Sequence, residues 1–548
     1  MVLNIPIGVG RFQKIREEGY YYIDKSELIS DILADKAEVY LFTRPRRFGK
    51  SLNLSMLDAF FNRDYAGNTW FDGLKVSDHE EVAKHKNAYP VIRLDMNGMG
   101  TDSFDSFISD FSPMIADAYR SFDLTGVSDR TTPGNLEYYE RASAEDFDST
   151  SLNWSIRTLC QILKDCYGVA PIVLIDECDK PLNDSFDKPD YEKILSFIMN
   201  FYTITLKGND YLSFAVLTGI MRITERSITS GLNNLKVDDI FSNKFDERYG
   251  FTPEEVQELC SYYGHPEKFE EAKEWYGGYR FGDADIYNPW SILSYVDSKF
   301  NPKGYWTETS GNDIISTLIS HADSNTYEEL QTLAEGGDIG KSIRPSATVR
   351  DIGPDTSAIY SVMVMAGYLN AIPSGSNRYQ LSIPNTEIWW EFKSMFLRSI
   401  HPDSIIAYDD FFDGMEAMDL DLMKVGLDKI LVNNIPFFGF SGEEDHQLAL
   451  AAAAMSRLGR YTFRLEDGSR NGRADINMTP NRPGLPNIIF EIKKSRSAKD
   501  ETLGKSADKT IGQIKDKDHC FGMKGRTILY GISFNGKKSA ISVEELNL

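Results

Sequence analysis

The sequence predicts an α/β protein whose first part is built around a parallel sheet, and three stretches support this. Val39 to Phe61 reads as a buried strand, a tight basic loop and a helix, in that order. Residues 171–177 and 212–219 are unalternating apolar runs that end in polar residues. Such runs are typical of parallel strands covered on both faces, and ligands bind at the carboxyl ends of such strands.

The loop of the first stretch predicts a phosphate-binding site. Its backbone N–H groups and the following helix N-terminus would hold anionic oxygens, and the loop residues concerned are Arg46, Arg47, Phe48 and Gly49. We expect Lys50 to reach the β- and γ-phosphates of a nucleotide and Ser51 to hold Mg²⁺. The general P-loop pattern has Gly at the position of Arg44, so the alternative is a helix N-terminus with a basic cap.

The second stretch ends in two acids that complete this interpretation. The apolar run Pro171–Ile175 leads directly into Asp176 and Glu177. Asp176 would hold Mg²⁺ through water, and Glu177 would orient the attacking water. The alternative is a strand that simply ends in a solvated acidic turn.

Several motifs together resemble the prokaryotic AAA-ATPase-like family, which typically carries a C-terminal PD-(D/E)XK nuclease-like domain. They are TRPRRFGKSLNLSML, LIDECDKPL, TGIMRITERSITSGLNNL, WYGGYRFG and YNPWSIL. The resemblance covers nearly the whole chain, most specifically residues 5–60, 170–295 and 436–520. The family itself carries RPRRFGK in the loop, which implies that Arg44 is its own variant of the phosphate-binding pattern.

The resemblance implies ATP as the ligand and a division into four parts. These are an ATPase core at 1–250, a winged or helical lid at 251–304, a helical middle region at 305–435 and a small restriction-endonuclease-like α/β domain at 436–548. Thr218 matches the position that senses the γ-phosphate in such ATPases. Arg222 lies four residues later. It would act as a sensor or as an arginine finger for a neighbouring subunit, and the alternative is an ordinary salt bridge. The resemblance also implies that the chain forms a homo-oligomer through the ATPase core.

Two further contributions to the nucleotide site stay open. The N-terminal segment 5–35, which contains the aromatic run Tyr20–Tyr22, would either close over the base or serve as ordinary packing. Arg280 of the lid would reach the nucleotide. The alternative is that this part of the lid only forms an aromatic core.

Composition limits the classes of partner. The net charge is −23, which argues against a chain that coats nucleic acid nonspecifically. Residues 441–548 hold 18 Lys and Arg against 14 Asp and Glu, a net of +4, which leaves −27 for residues 1–440. The C-terminal part is therefore the better candidate for binding DNA or RNA, although a net charge of +4 also fits an ordinary solvated surface.

Five cysteines without zinc spacing and the lack of a long apolar run predict a cytoplasmic protein with no membrane partner.

The C-terminal part carries an arrangement of acids typical of metal-dependent phosphodiesterases. Glu491 and Lys493 lie two residues apart on one predicted strand and so share a face. Asp475 precedes Glu491 by sixteen residues, and the two acids would bind Mg²⁺ while Lys493 polarises or deprotonates the water. Glu444 lies on the apolar stripe of a preceding predicted helix and Gln513 on a following one. The alternative is a sheet face of alternating charges.

These observations predict an ATP-binding and hydrolysing protein coupled to a Mg²⁺-dependent nuclease that cleaves or binds DNA or RNA. The rival hypothesis is a nucleotide-dependent switch or scaffold whose nuclease-like domain only binds nucleic acid or a protein partner. The intact set of Asp475, Glu491 and Lys493 favours the enzyme.

Overall fold

The computed structural model describes residues 3–222, 234–306, 324–334, 336–352, 357–375, 378–392, 403–438, 461–465, 476–480, 484–495, 499–516, 525–535 and 538–547. The chain forms two compact units. One consists of Met1–Asn301 and Asp338–Asn385, and the other of Pro302–Gly337 and Thr386–Leu548. No helix among the described residues is both long enough and apolar enough to cross a membrane.

The described helices are, in chain order, α1 (Phe12–Glu17), α2 (Glu27–Asp35), α3 (Lys50–Phe61), α4 (Glu80–Ala83), α5 (Phe104–Arg120), α6 (Pro133–Ser143), α7 (Ser149–Tyr167), α8 (Lys180–Ser185), α9 (Tyr191–Leu206), α10 (Pro253–Tyr262), α11 (Phe269–Tyr276), α12 (Pro289–Asp297), α13 (Ser324–Ala334), α14 (Ala358–Ala366), α15 (Asp403–Ala417), α16 (Leu420–Phe438) and α17 (Asp500–Asp516).

The described strands are β1 (Val39–Thr43), β2 (Val91–Asp95), β3 (Ile172–Asp176), β4 (Phe214–Gly219), β5 (Leu235–Asp238), β6 (Tyr279–Phe281), β7 (Ala284–Ile286), β8 (Ile339–Lys341), β9 (Asn370–Gly375), β10 (Arg378–Ser382), β11 (Tyr461–Leu465), β12 (Ile476–Pro480), β13 (Asn487–Lys494), β14 (Arg526–Asn535) and β15 (Lys538–Asn547).

The first unit is built on a five-stranded parallel sheet with the order β2-β3-β4-β1-β5. The predicted strand, loop and helix are confirmed as β1, residues 44–49 and α3. Strand β4 lies between β1 and β3, so it separates the strand that enters the basic loop from the strand that ends at Asp176.

Both faces of this sheet are buried, which explains the unalternating apolar runs. One face, with Leu41, Val173 and Leu217, packs in a core formed with α5, α7 and α9. On the other face the ring of Phe42 contacts those of Phe245 and Tyr249, at centroid distances of 5.0 and 5.2 Å. The packing on both faces of the sheet therefore holds its carboxyl edge in place.

The residues after the sheet form the small helical part expected as a lid. Thr252 caps α10, and Glu255 completes a capping box with it. A two-stranded hairpin, β6 and β7, then separates α11 from α12.

The region expected to be helical between 305 and 435 is mixed, and its middle part joins the first unit. Residues 338–385 contribute a three-stranded sheet, β8-β10-β9, and the fully buried helix α14. These strands are only three to six residues long. Gly, Ser and Pro lie between them, and this composition hides their alternation in the sequence.

The second unit contains a mixed five-stranded sheet with the order β11-β12-β13-β14-β15. Only β13 and β14 are parallel, and α17 forms the crossover between them. Helices α15 and α16 also belong to this unit.

Candidate functional site

The basic loop brings its lysine to the start of α3. Gly49 adopts the left-handed backbone conformation with φ +84°, which a glycine reaches without strain, and no side chain caps the helix. Lys50 is 4% exposed, and its Nζ donates to the carbonyl oxygens of Arg44 and Pro45 at 3.1 and 3.0 Å. Ser51 is exposed in the same turn. The ammonium thus closes the loop onto itself, while the N-terminal N–H groups of the helix point outward.

Arg44, which stands where the general pattern has glycine, is a buried structural residue. Its guanidinium donates to Asp238 Oδ1 at 2.6 Å and to the Asp238 carbonyl at 2.9 Å. The same group lies 5.1 Å from the ring centroid of Tyr249 and 5.3 Å from that of Phe281. Burial raises the pKa of Asp238 and the Arg44 charge opposes this. Arg44 therefore ties the start of the loop to the end of β5 and to the hairpin β6–β7.

The middle of the loop contacts the first turn of α12. The Arg47 guanidinium lies 4.1 Å from the Trp290 ring centroid, and Asn288 Nδ2 donates to the Arg46 carbonyl at 3.5 Å. Arg47 itself has a positive φ of 71°. Phe48 is 1% exposed and packs between Tyr279 and Phe281 of the hairpin. The loop is thus held by the hairpin β6–β7 and the start of α12 as well as by the sheet.

The two acids at the end of β3 lie on the same edge of the sheet as the loop. Asp176 Oδ1 accepts from the Thr218 hydroxyl at 2.5 Å and from the Glu177 N–H at 3.1 Å. Glu177 has φ +52°, a left-handed conformation that costs a residue with a Cβ about 1–2 kcal/mol. Backbone strain of this kind concentrates at functional sites.

Register fixes the distance between the loop and these acids. Phe42 of β1 pairs with Thr218 of β4, and Ile175 of β3 pairs with Leu217 of β4. The start of the loop and Asp176 are therefore two strand spacings apart, about 10 Å. The end of a triphosphate chain, held between a lysine and an acid, would fit in this gap.

Two other carboxyl groups at this edge were not predicted from the sequence. Asp95 ends β2 in register with Asp176, and its burial, together with the charges of Asp176 and Glu177, raises its pKa. Asp179 is fully buried three residues after Asp176, and burial raises its pKa to about 6. The signals were available: Asp95 is the acid that ends another apolar strand, and Asp179 belongs to the same DECD motif.

The remaining predicted contributors have other contacts. Arg222 donates to Asp239 Oδ2 at 2.6 Å, which is the salt bridge that we considered as an alternative. Arg280 Nε donates to the Gly282 carbonyl, and Arg280 Nη2 lies 3.7 Å from Asp283 Oδ1. Tyr21 packs on Tyr262, the last residue of α10, and on the next residue, Tyr263, with ring centroids 4.7 and 5.8 Å apart.

The residues at this edge fit a nucleotide with its magnesium ion. The uncapped N-terminus of α3, the lysine and the open space beside Gly49 suit phosphate oxygens. Within the described part of the chain, no group of three or more His, Cys, Asp or Glu side chains could hold a metal by itself. Ser51 and Asp176 would thus share the ion with water and phosphate, as Mg²⁺ usually requires.

In the second unit the structure places only part of the predicted nuclease site. Glu491 is 3% exposed on β13, and Lys493 follows it on the same face. The Lys493 ammonium donates to Gln513 Oε1 of α17, so the strand and the helix meet at this point. Strand β12 pairs antiparallel with β13, with Ile476 opposite Phe490. Asp475 and Glu444 lie outside the described residues.

A family model matches within the first unit, and a relative matches nearly the whole chain. Residues 6–229 match the model of a family described as predicted AAA-ATPases. An uncharacterized protein of the vnfD 5′ region in Azotobacter chroococcum is 26% identical over 564 aligned positions, which cover 97% of this chain and 96% of that protein.

A solved structure, that of a signal transduction ATPase with numerous domains and a tetratricopeptide repeat sensor from Pyrococcus horikoshii, also matches. The match covers 80% of this chain, with 12% identity and a TM-score of 0.26. The chain spans 56% of that protein's length. Residues 6–229 are therefore similar to predicted AAA-ATPases, and the chain is similar over nearly its whole length to a bacterial protein.

Proposed function

We propose that the protein binds ATP with Mg²⁺ at the loop 44–51 and hydrolyses it. The observation that carries this proposal is the shared edge of the sheet. There the loop lysine, the hydroxyl of Thr218 and the acids Asp176 and Glu177 lie within two strand spacings of one another.

Each residue has a distinct role in this proposal. Lys50 and the first N–H groups of α3 neutralise and orient the phosphate oxygens, and Ser51 and Asp176 hold the magnesium ion. The ion, when bound, neutralises charge that develops on the phosphates. Glu177 orients the attacking water, and Thr218 holds Asp176 through the hydroxyl hydrogen bond.

The binding step is tested by removing the lysine. We expect Lys50→Ala to weaken ATP binding at least about tenfold, because a charge-assisted contact to phosphate contributes about 1.5–3 kcal/mol. Lys14→Ala, which removes a half-exposed lysine of α1, is the control and should bind like the wild type. Equal ATP affinity in the two variants and the wild type, measured by calorimetry, would refute the assignment of the loop.

We further propose that Asp475 and Glu491 ligate Mg²⁺ in the second unit, that Lys493 assists the water, and that Glu444 supports the site. The buried carboxylate on β13, the lysine two residues later and the contact of that lysine with Gln513 support this proposal. Buried carboxylates on a strand are the hard, rigid oxygen ligands that a magnesium site needs. The net charge of +4 over residues 441–548 permits DNA or RNA to approach.

The nuclease proposal is tested with Asp475→Ala and with Glu501→Ala, a matched control on the exposed surface of α17. Plasmid, linear DNA and RNA are each incubated with Mg²⁺ or Mn²⁺, with and without ATP. We expect cleavage, and thermal stabilisation by the metal, in the wild type and the control only. ATP hydrolysis should be unchanged in all three proteins. If the wild type cleaves nothing and no metal stabilises it, the scaffold hypothesis replaces the nuclease.

A further inference from the structure

Asp179 is a buried acid that accepts hydrogen bonds from two backbone N–H groups at the end of another strand. It is 2% exposed and lies just after β3. Its Oδ2 accepts from the N–H groups of Ile220 and Met221 at 3.0 and 2.7 Å, and from Asn183 Nδ2 at 2.8 Å. A single carboxylate oxygen thus satisfies two consecutive backbone donors that follow β4.

Burial of the Asp179 carboxylate costs folding free energy, which indicates that this side chain has a role beyond packing. The other oxygen, Oδ1, has no hydrogen-bond partner among the residues that the structure describes. Burial and the nearby charge of Glu177 both disfavour ionisation of Asp179. A Cβ at Gly219 would lie 2.5 Å from Oδ1, so only glycine fits at the end of β4. An apolar residue would avoid the cost of the unpartnered buried oxygen.

The segment held by Asp179 touches both halves of the proposed ATP site. The Gly219 carbonyl accepts from the Arg44 N–H at 3.1 Å, at the start of the basic loop. The Thr218 carbonyl accepts from the Cys178 N–H at 2.8 Å, and the Thr218 hydroxyl donates to Asp176. Displacement of residues 218–221 would therefore disturb the loop and the acids together.

We propose that Asp179 is a positioning residue, which fixes the turn after β4 and thereby holds Thr218, Asp176 and the start of the loop in the arrangement that hydrolysis needs. The proposal rests on the ATP hydrolysis proposed above. In this proposal the effect of Asp179 passes through the backbone of residues 219–221, where its carboxylate accepts from two N–H groups, and not through a contact with the nucleotide or the water.

The kinetic test compares Asp179→Ala with Asp179→Asn. The amide oxygen of Asn can accept from the same two N–H groups, whereas Ala leaves both without this acceptor. We expect Asp179→Ala to lower kcat for ATP by about tenfold to a hundredfold, with KM changed far less, as for a small misplacement of catalytic groups. Asp179→Asn should restore most of the activity. Asp58→Ala is the control, because it removes another buried acid, at the far end of α3.

A readout that needs no nucleotide separates this proposal from the ATPase proposal. In Asp179→Ala, but not in Asp179→Asn or Asp58→Ala, the amides of Ile220 and Met221 should exchange with solvent faster than in the wild type. Unchanged exchange in Asp179→Ala would overturn the positioning role, whatever the protein does with ATP. Faster exchange with unaltered kcat, in a protein that hydrolyses ATP, would also overturn it. Altered exchange in a protein that binds no ATP would refute only the proposed function.

Discussion

Arg44 shows how one residue changes the meaning of a motif. The sequence pattern has glycine at its position, and the substitution first reads as a broken phosphate-binding loop. In the structure the side chain turns away from the loop opening and forms a buried ion pair with Asp238. The loop keeps a glycine only at Gly49, where the backbone is left-handed. The Arg44–Asp238 ion pair therefore fixes the start of the loop without a glycine at that position.

We predict that Arg44→Ala destabilises the first unit by about 3–5 kcal/mol, because it leaves the Asp238 carboxylate buried without its counter-charge. The measurement is urea unfolding followed by fluorescence. Arg120→Ala, which removes an arginine from an exposed ion pair on α5, is the control and should leave the unfolding midpoint nearly unchanged. An Arg44→Ala midpoint equal to that of the control would show that the ion pair does not hold the loop.

Sequence patterns indicated the residues of the loop and of the β3 end as site candidates, but they did not indicate the neighbouring acids Asp95 and Asp179. Lys50, Asp176 and Glu177 stand in recognisable motifs at the ends of apolar runs. Asp179 was missed because its role depends on the N–H groups of Ile220 and Met221, which are more than forty positions away in sequence. Contacts of this kind exist only once β3 and β4 are paired.

At the scale of elements, long periodic segments were predicted well and short ones poorly. The strand, loop and helix predicted from Val39 to Phe61 are confirmed as β1, residues 44–49 and α3, because the apolar spacing extends over the whole helix. The short strands β8, β9 and β10 were missed, since three to six residues give little alternation to detect. As a result residues 338–385 were expected in a helical middle region, whereas they pack in the first unit.

One contact shows why residues 338–385 matter to the site. Gly367 ends α14 with φ +89°, and a Cβ there would lie 2.8 Å from Pro45 Cβ in the basic loop. We predict that Gly367→Ala lowers the free energy of unfolding by at least about 1–2 kcal/mol, from the left-handed backbone alone. It should also weaken ATP binding, since the rigid Pro45 ring must move.

The matched control is Gly340→Ala in β8, where a Cβ meets no atom within 4 Å and φ is not positive. Both variants are compared with the wild type by thermal unfolding and by calorimetric titration with ATP. If Gly367→Ala behaves like Gly340→Ala in both measurements, α14 does not support the loop.

At the scale of the whole molecule, the sequence predicted two sites on one chain, and the structure describes them unequally. At the carboxyl edge of the parallel sheet, the loop, the acids and Thr218 are all among the described residues. The strand order β2-β3-β4-β1-β5 could not be derived from spacing, because each parallel crossover joins strands that are distant in the chain. In the second unit, Glu491, Lys493 and Gln513 are placed on β13 and α17, whereas Asp475 and Glu444 are not among the described residues.

The central claim is that this sheet edge hydrolyses ATP, and Glu177→Gln tests it most directly. The substitution keeps the shape of the side chain and leaves Lys50, Ser51 and Asp176 intact. ATP affinity should therefore remain close to that of the wild type, while turnover should fall by about a hundredfold or more. Glu254→Gln, an exposed residue of α10, is the control and should turn over ATP normally. Wild-type turnover in Glu177→Gln, under conditions where the wild type hydrolyses ATP, would contradict the account.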